Sequence, residues 1–149
     1  MRFWPLDGPN RNLLGLREPA ISGHMDYAGL VAYVRAACAE NGVQPTFDQS
    51  NHEGELVDAI QEAYGVFDGI VIIPAAYNKT AIAIRDALKA VNIPAAEVHL
   101  SDISKRESFR QTSDAGMACA LHFVGQGAEG YKNAVVELKK YIQERADTP

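Results

Sequence analysis

Two residues suited to acid–base chemistry, Glu97 and His99, stand two positions apart in the apolar run Ala96–Leu100. Alternate residues of a β-strand point to the same face of a sheet, so a strand here would place the two side chains side by side. A carboxylate next to an imidazole orients the ring and favours its charged form. The spacing therefore predicts that the two side chains share one face, as an orienting pair needs, and the alternative is a buried ion pair with a structural role.

The elements that must position this pair alternate between short apolar runs and amphipathic segments. The run Gly69–Ile73 is nearly continuous in β-branched residues, as expected for a strand buried on both faces of a parallel sheet. Further strands are predicted before Gly8 and over Val43–Phe47, Ala96–Leu100 and Ala118–Val124. Apolar stripes at helical spacing predict helices over 30–38, 56–64, about 80–91 and 131–142. The predicted fold class is α/β, a flavodoxin-like three-layer, doubly wound, five-stranded parallel sheet.

Two polar segments, Gly8–Met25 and Ser101–Gly116, interrupt this alternation, and each follows the carboxyl end of a predicted strand. Ligands of open α/β sheets bind at that end, so both loops are predicted to carry function. Gly125, Gly127 and Gly130 lack the strand–helix context of a phosphate loop and are interpreted as a tight turn.

Composition narrows the class of protein. The 149 residues carry 14 Lys and Arg against 19 Asp and Glu, which suits one domain over 1–149 and argues against nucleic acid as a partner. Two cysteines without CxxC or histidine-rich neighbours disfavour a disulfide framework or a zinc site. No run of 18 apolar residues and no signal-peptide layout is present, so we expect a cytoplasmic protein that does not span a membrane.

Several motifs, in order and spacing, resemble one known family over nearly the full chain. They are the opening loop Asp7–Pro19, then Gln49–Leu56, Ile84–Leu88, Glu97–Ser101, Arg106–Arg110 and Gly125–Tyr131. Together they resemble the type II dehydroquinases (3-dehydroquinate dehydratases). The resemblance implies a flavodoxin-like fold, a trimer-based homododecamer and elimination of water. In that chemistry a lid tyrosine removes a proton beside a ketone, an asparagine-held water stabilises the enolate, and a histidine oriented by a glutamate protonates the departing hydroxyl.

The resemblance also implies roles for individual residues of this chain. Asn10 matches the asparagine that holds the water, Arg17 matches the lid arginine that activates the base, and Glu97 and His99 match the acid pair. Residues that match substrate contacts are Leu100 and Ser101 for the carboxylate, Arg110 for ring hydroxyls, Tyr77 for the pocket wall, and Asp86, which reaches a neighbouring subunit's site.

Departures from the family pattern fall at decisive places. Ser22 stands at the position of the catalytic tyrosine, and one nearby arginine cannot make a serine hydroxyl as acidic as a phenol. Ile73 and Lys79 replace an asparagine and a histidine that grip ring hydroxyls, which should cost roughly 1–3 kcal/mol for each lost partner. Asp7 replaces an asparagine in the first loop, which should alter its packing. We therefore expect a substrate more anionic or less hydroxylated than dehydroquinate.

Other titratable residues are candidates for a replacement base. His24, two residues past Ser22, has a suitable intrinsic pKa, and its alternative is a solvated loop histidine. Tyr27 is interpreted first as a residue that begins a helix. His52 is expected to secure a loop and the next helix, and His122 is expected to be a hydrogen-bonded core histidine.

The leading function is therefore a lyase that eliminates water from a small carboxylated cyclic substrate with altered specificity. The alternatives are an authentic 3-dehydroquinate dehydratase with a relocated base, and a pseudoenzyme that binds a carboxylate metabolite or acts as an oligomeric scaffold. No metal or organic cofactor is implied, because the matched groups are ordinary acid–base residues. The expected partners are a small-molecule carboxylate and further copies of the chain.

Overall fold

A computed structural model of the chain describes residues 1–14, 25–74, 82–100 and 115–146. The strands are β1 (Arg2–Asp7), β2 (Gln44–Pro45), β3 (Asp48–Gln49), β4 (Gly69–Ile73), β5 (Ala95–His99) and β6 (Leu121–Val124). The helices are α1 (Tyr27–Glu40), α2 (Glu53–Glu62), α3 (Ile82–Val91) and α4 (Gly127–Ala146), with short 3-10 turns at Arg11–Leu13 and Ala115–Ala118. None of the described helices is both long and apolar enough to cross a membrane.

The strands form one parallel sheet in the order β2-β1-β4-β5-β6, and β3 also pairs with β1. Because β2 pairs with the start of β1 and β3 with its end, the two short strands share one edge position. The sheet therefore has five strand positions, and the predicted flavodoxin-like arrangement is confirmed. Strand order reverses between β1 and β4, which makes their carboxyl ends the switch point where such sheets bind ligands.

The edge strand is shorter than the sequence predicts. The sequence predicts a continuous strand over Val43–Phe47, whereas pairing with β1 breaks between Pro45 and Asp48. Pro45 has no N–H to donate, and this segment is held by isolated contacts instead. The N–H of Thr46 donates to the carbonyl of Phe3 at 3.1 Å, and Trp4 Nε1 donates to Asp48 Oδ2 at 2.6 Å.

The last strand also begins later than predicted. The expected strand over Ala118–Val124 starts only at Leu121, because Ala115–Ala118 forms a 3-10 turn. That turn continues with the N–H of Cys119 donating to the carbonyl of Gly116 at 3.0 Å. The shortened strand leaves room for this turn beside β5.

Two helices cover each face of the sheet. α1 and α4 pack on the face that includes Phe3, Val71 and Val98, while α2 and α3 pack on the face that includes Ile70 and Ala95. Side chains alternate between the faces along each strand. Residues 97 and 99 therefore share the α2–α3 side with Ala95, at the carboxyl end of β5.

Candidate active site

Glu97 and His99 form a buried pair at the carboxyl end of β5. Their residues are 3% and 6% exposed, and His99 Nε2 lies 3.3 Å from Glu97 Oε1. Within the described part of the chain, this contact is at ion-pair distance without the direction of a hydrogen bond. Glu97 and His99 are two positions apart on one strand, so strand geometry alone places both side chains on the same face of the sheet.

A second histidine contacts the same carboxylate oxygen. His122 on β6 is the register partner of Glu97, and its Nδ1 lies 3.3 Å from Glu97 Oε1 in hydrogen-bond geometry. The expectation of a core residue is wrong for His122, because its side chain is 47% exposed. β6 lies at the edge of the sheet, so the side of β6 that carries His122 is less covered by neighbouring segments than β5 is.

The Glu97 carboxylate is closed in by the 3-10 turn before β6. A Cβ atom at Gly116 would lie 2.5 Å from Glu97 Oε1, so a larger residue here would require the carboxylate to shift. The next residue, Met117, is tied to α3, since Arg85 Nη1 lies 3.6 Å from Met117 Sδ. Burial, and secondarily the charge of Glu97, raise the pKa of the Cys119 thiol to about 12. The turn therefore packs close to the carboxylate and adds a neutral thiol to its surroundings.

The loop after β1 is held against β4 and by the Gln49–Leu56 motif. The N–H of Gly8 donates to the carbonyl of Ile73 at 2.7 Å, and a Cβ at residue 8 would lie 2.6 Å from the carbonyl oxygen of Pro74. Asn10 is exposed and left-handed at φ 66°, and its N–H donates to Asn51 Oδ1 at 2.9 Å. These bonds fix Asn10 near the carboxyl ends of the strands, which is the end of the sheet where His99 also lies.

His52 contributes to this loop through its backbone and not its ring. It precedes α2 without a side-chain cap bond, its side chain is exposed, and its N–H donates to Ser50 Oγ at 3.0 Å. Ser50 Oγ in turn donates to Glu55 Oε2 at 2.5 Å. The short serine side chain reaches the helix start, so the predicted task of the His52 side chain is carried by Ser50.

Asp7 is the one buried aspartate among the described residues. It is 1% exposed and accepts hydrogen bonds from Tyr131 Oη, at 3.2 Å, and from Tyr27. Burial raises the pKa of Asp7 to about 6, although Arg11 and the two hydroxyls pull it down. The pKa of the Tyr27 phenol is raised, first by burial and then by the charge of Asp7. Tyr27 begins α1, as predicted, and its phenolate is disfavoured.

The remaining described candidates lie apart from the Glu97–His99 pair. Ile73 is 2% exposed in the apolar cluster facing α1 and α4, on the other side of the sheet. Leu100 belongs to the same cluster, and its carbonyl accepts from Gly127 N–H at 2.9 Å within the turn formed by left-handed Gly125 and Gly127. Asp86 is exposed on α3, with Oδ1 4.0 Å from Arg85 Nε.

The other sequence-predicted site residues lie outside the described residues: Arg17, Ser22, His24, Tyr77, Lys79, Ser101 and Arg110. Across 1–14, 25–74, 82–100 and 115–146, no three histidine, cysteine or acidic side chains are grouped to hold a metal ion.

Comparison with known proteins identifies a family and several relatives to which the chain is similar. A family model described as class II dehydroquinase matches residues 1–139. The chain is 47% identical over 144 residues to a 3-dehydroquinate dehydratase of Aliarcobacter butzleri, covering 97% of this chain and 88% of that protein. It is 48% identical over 141 residues to a catabolic 3-dehydroquinase of Aspergillus clavatus, covering 95% and 94%.

A solved structure has the same fold as this chain. The crystal structure of a type II dehydroquinase from Butyrivibrio crossotus superposes with a TM-score of 0.91 at 43% identity. The match covers 93% of this chain and 97% of that one.

Proposed function

The chain belongs to the class II dehydroquinase family and is a dehydratase, and we propose that His99, oriented by Glu97, is the general acid that expels water from its substrate. The buried contact of His99 Nε2 with Glu97 Oε1, at 3.3 Å, carries this proposal. Hydroxide is a poor leaving group, so an acid must protonate it as the C–O bond breaks, which typically contributes 10²–10⁴-fold to the rate. A buried carboxylate supports that acid by stabilising the imidazolium before transfer.

A base takes a proton from the carbon beside a ketone, and the electron pair forms an enolate. Collapse of the enolate makes the C=C bond, the C–O bond breaks, and the departing hydroxyl leaves as water with the proton of His99. We propose that Asn10, fixed by its bond to Asn51, holds a water against the enolate oxygen, and that Arg17 favours the ionised base.

For the substrate we propose a small cyclic carboxylate that differs from 3-dehydroquinate in charge or hydroxylation. Lys79 adds a cation to a pocket that already has Arg110. The carboxylate would be held by the Leu100 backbone and Ser101, with Tyr77 beside the ring. Ser22 cannot supply the base, and Tyr27 is unsuitable because its pKa is raised, so His24 is the remaining lid candidate.

A second candidate is 3-dehydroquinate itself, favoured by 47% and 45% identity to relatives named 3-dehydroquinate dehydratase. An absorbance assay for the conjugated product separates the two, with a type II enzyme of known activity run beside the purified protein. Turnover within about tenfold of that control, about 1.4 kcal/mol in barrier, would establish 3-dehydroquinate as the substrate and a relocated base. No detectable product would favour the altered substrate.

The role of His99 has its own test once a substrate is turned over. His99→Gln should lower kcat by about 10²–10⁴-fold, and Glu97→Gln should lower it by less, because the acid remains without its orienting charge. The exposed variant His52→Gln is the matched control and should keep wild-type kcat. Wild-type activity in His99→Gln would refute the assignment of the acid.

We also propose the trimer-based dodecamer, in which Asp86 reaches a neighbouring subunit. The exposure of its side chain, 68%, supports this role. Light scattering on the purified protein measures the assembly directly. Asp86→Ala should leave the assembly size unchanged or smaller while weakening substrate binding, and a monomeric wild type with full activity would contradict the proposal.

A further inference from the structure

One carboxylate oxygen of Glu97 contacts two histidines that differ greatly in solvent exposure. Both His99 Nε2 and His122 Nδ1 lie 3.3 Å from Oε1. The side chains of His99 and Glu97 are 6% and 4% exposed, whereas that of His122 is 47% exposed. The buried acid pair is therefore joined, through a single carboxylate oxygen, to a histidine that faces water.

The two contacts differ in kind. His122 meets Glu97 Oε1 in hydrogen-bond geometry, while His99 approaches the same oxygen without a directed bond in the described structure. A carboxylate can rotate about its terminal torsion, and a directed bond on one oxygen limits that rotation. Gly116 closes another side of the group, since a Cβ there would lie within 2.5 Å of Oε1. His122 thus holds the oxygen that faces His99.

We propose that His122 is a positioning residue for the Glu97–His99 pair, and that its protonation state sets how much negative charge Glu97 offers His99. The proposal rests on the proposed role of His99 as the acid. When His122 is neutral, its Nδ1–H donates to Oε1 and fixes the carboxylate. When His122 is charged, it competes with the His99 imidazolium for the same oxygen. Because the two rings share one carboxylate oxygen, a proton gained by one ring changes the negative charge available to the other.

Among residues 1–14, 25–74, 82–100 and 115–146, Glu97 is the charged group that His122 contacts. On β5 the neighbours are Glu97 and His99, and in the segment before β6 Cys119 is a neutral thiol, with its pKa raised to about 12. From α3, Arg85 points to Met117 Sδ. On β6 itself, Leu121, Phe123 and Val124 are apolar, and Phe123 packs in the cluster with α4 on the opposite face. In the described part of the chain, the shared Glu97 carboxylate therefore links the two rings.

Two substitutions separate a hydrogen-bond role from a packing role. His122→Asn keeps an N–H donor near the place of Nδ1 and removes the titratable ring, whereas His122→Leu removes both. With 3-dehydroquinate or whichever substrate the absorbance assay identifies, we expect His122→Leu to lower kcat about tenfold with KM within about twofold. His122→Asn should stay within about threefold of wild-type kcat and should show one fewer step in its pH profile.

A measurement that needs no substrate tests the coupling directly. Long-range ¹H–¹⁵N spectra of the histidine rings, recorded between about pH 5 and 9, should show the His99 nitrogens responding in two steps in the wild type and one step in His122→Asn. A single-step response in both proteins would overturn the proposal. So would an equal loss of kcat in His122→Asn and His122→Leu, since that result assigns the loss to packing.

The two-step response of the His99 nitrogens does not depend on which residue is the catalytic acid. If His99→Gln kept full activity, His99 would not be the acid, and the claim that His122 positions a catalytic acid would fall with it. The two-step response of His99 in the wild-type spectra would then still establish the link between the rings through Glu97.

Discussion

Asp7→Asn removes the buried carboxyl group at the end of β1 and should change how stability depends on pH. Asp7 is 1% exposed, and burial raises its pKa from 3.8 to about 6. A carboxyl group with a raised pKa binds its proton more tightly in the folded chain than in the unfolded chain. The free energy of unfolding therefore falls as pH rises from about 4, and the loss is complete above about pH 6.

The size of this effect follows from the shift. About two pH units, at about 1.36 kcal/mol each, give about 3 kcal/mol of stability that the wild type loses between acid and neutral pH. Asparagine carries no charge and keeps an oxygen that can accept from Tyr131 Oη. Asp7→Asn should thus match the wild type or be slightly weaker near pH 4, and gain on it by about 2–3 kcal/mol by pH 8.

Urea unfolding at fixed protein concentration, followed by the fluorescence of Trp4 at pH 4, 5, 6, 7 and 8, measures this difference. Asp58→Asn, at an exposed position of α2, is the control and should run parallel to the wild type. If the wild-type and Asp7→Asn stabilities also ran parallel across this range, the buried carboxyl would not be titrating as argued. A gain for Asp7→Asn at low pH instead of high pH would reverse the sign of the reasoning.

Three further predictions concern the active site and the segment that packs against Glu97. Ser22→Tyr should raise turnover of 3-dehydroquinate at least tenfold in the absorbance assay if the missing base is the main block, and no rise would show a second one. Gly116→Ala should displace the carboxylate of Glu97 and lower kcat tenfold or more, because the added Cβ would lie 2.5 Å from Oε1. Gly54→Ala, with nothing within 4 Å of the added atom, is its control and should keep wild-type kcat. The pKa of Cys119, raised to about 12, predicts alkylation by iodoacetamide at pH 8 at least a hundredfold slower in the folded than in the unfolded chain, measured by peptide mass spectrometry.

Much of the scaffold was predictable because its signals are local. The β-branched run Gly69–Ile73 forms β4 over the predicted residues, and the spacing of Glu97 and His99 on one strand is enough to place them on one face. Both follow from strand period and side-chain type, which a single sequence shows directly. The family motifs then added the order of the sheet and the reaction.

The features that the sequence did not predict depend on contacts between distant segments. The meeting of Glu97 with His122 requires the register of β5 on β6, and nothing in either strand alone specifies that register. The burial of Asp7 depends on Tyr131, 124 residues away, and on the first residue of α1. The 3-10 turn at Ala115–Ala118 replaced part of a predicted strand because its apolar residues suit either conformation.

The broken edge formed by β2 and β3 restricts how copies of this chain can join. Each piece pairs with β1 for only two residues, and Pro45 contributes no N–H. A sheet edge recruits a strand from another molecule when it presents an unbroken row of amide and carbonyl groups. Over residues 44–49 that row is interrupted, so this side of the sheet resists fibril-like growth by strand addition.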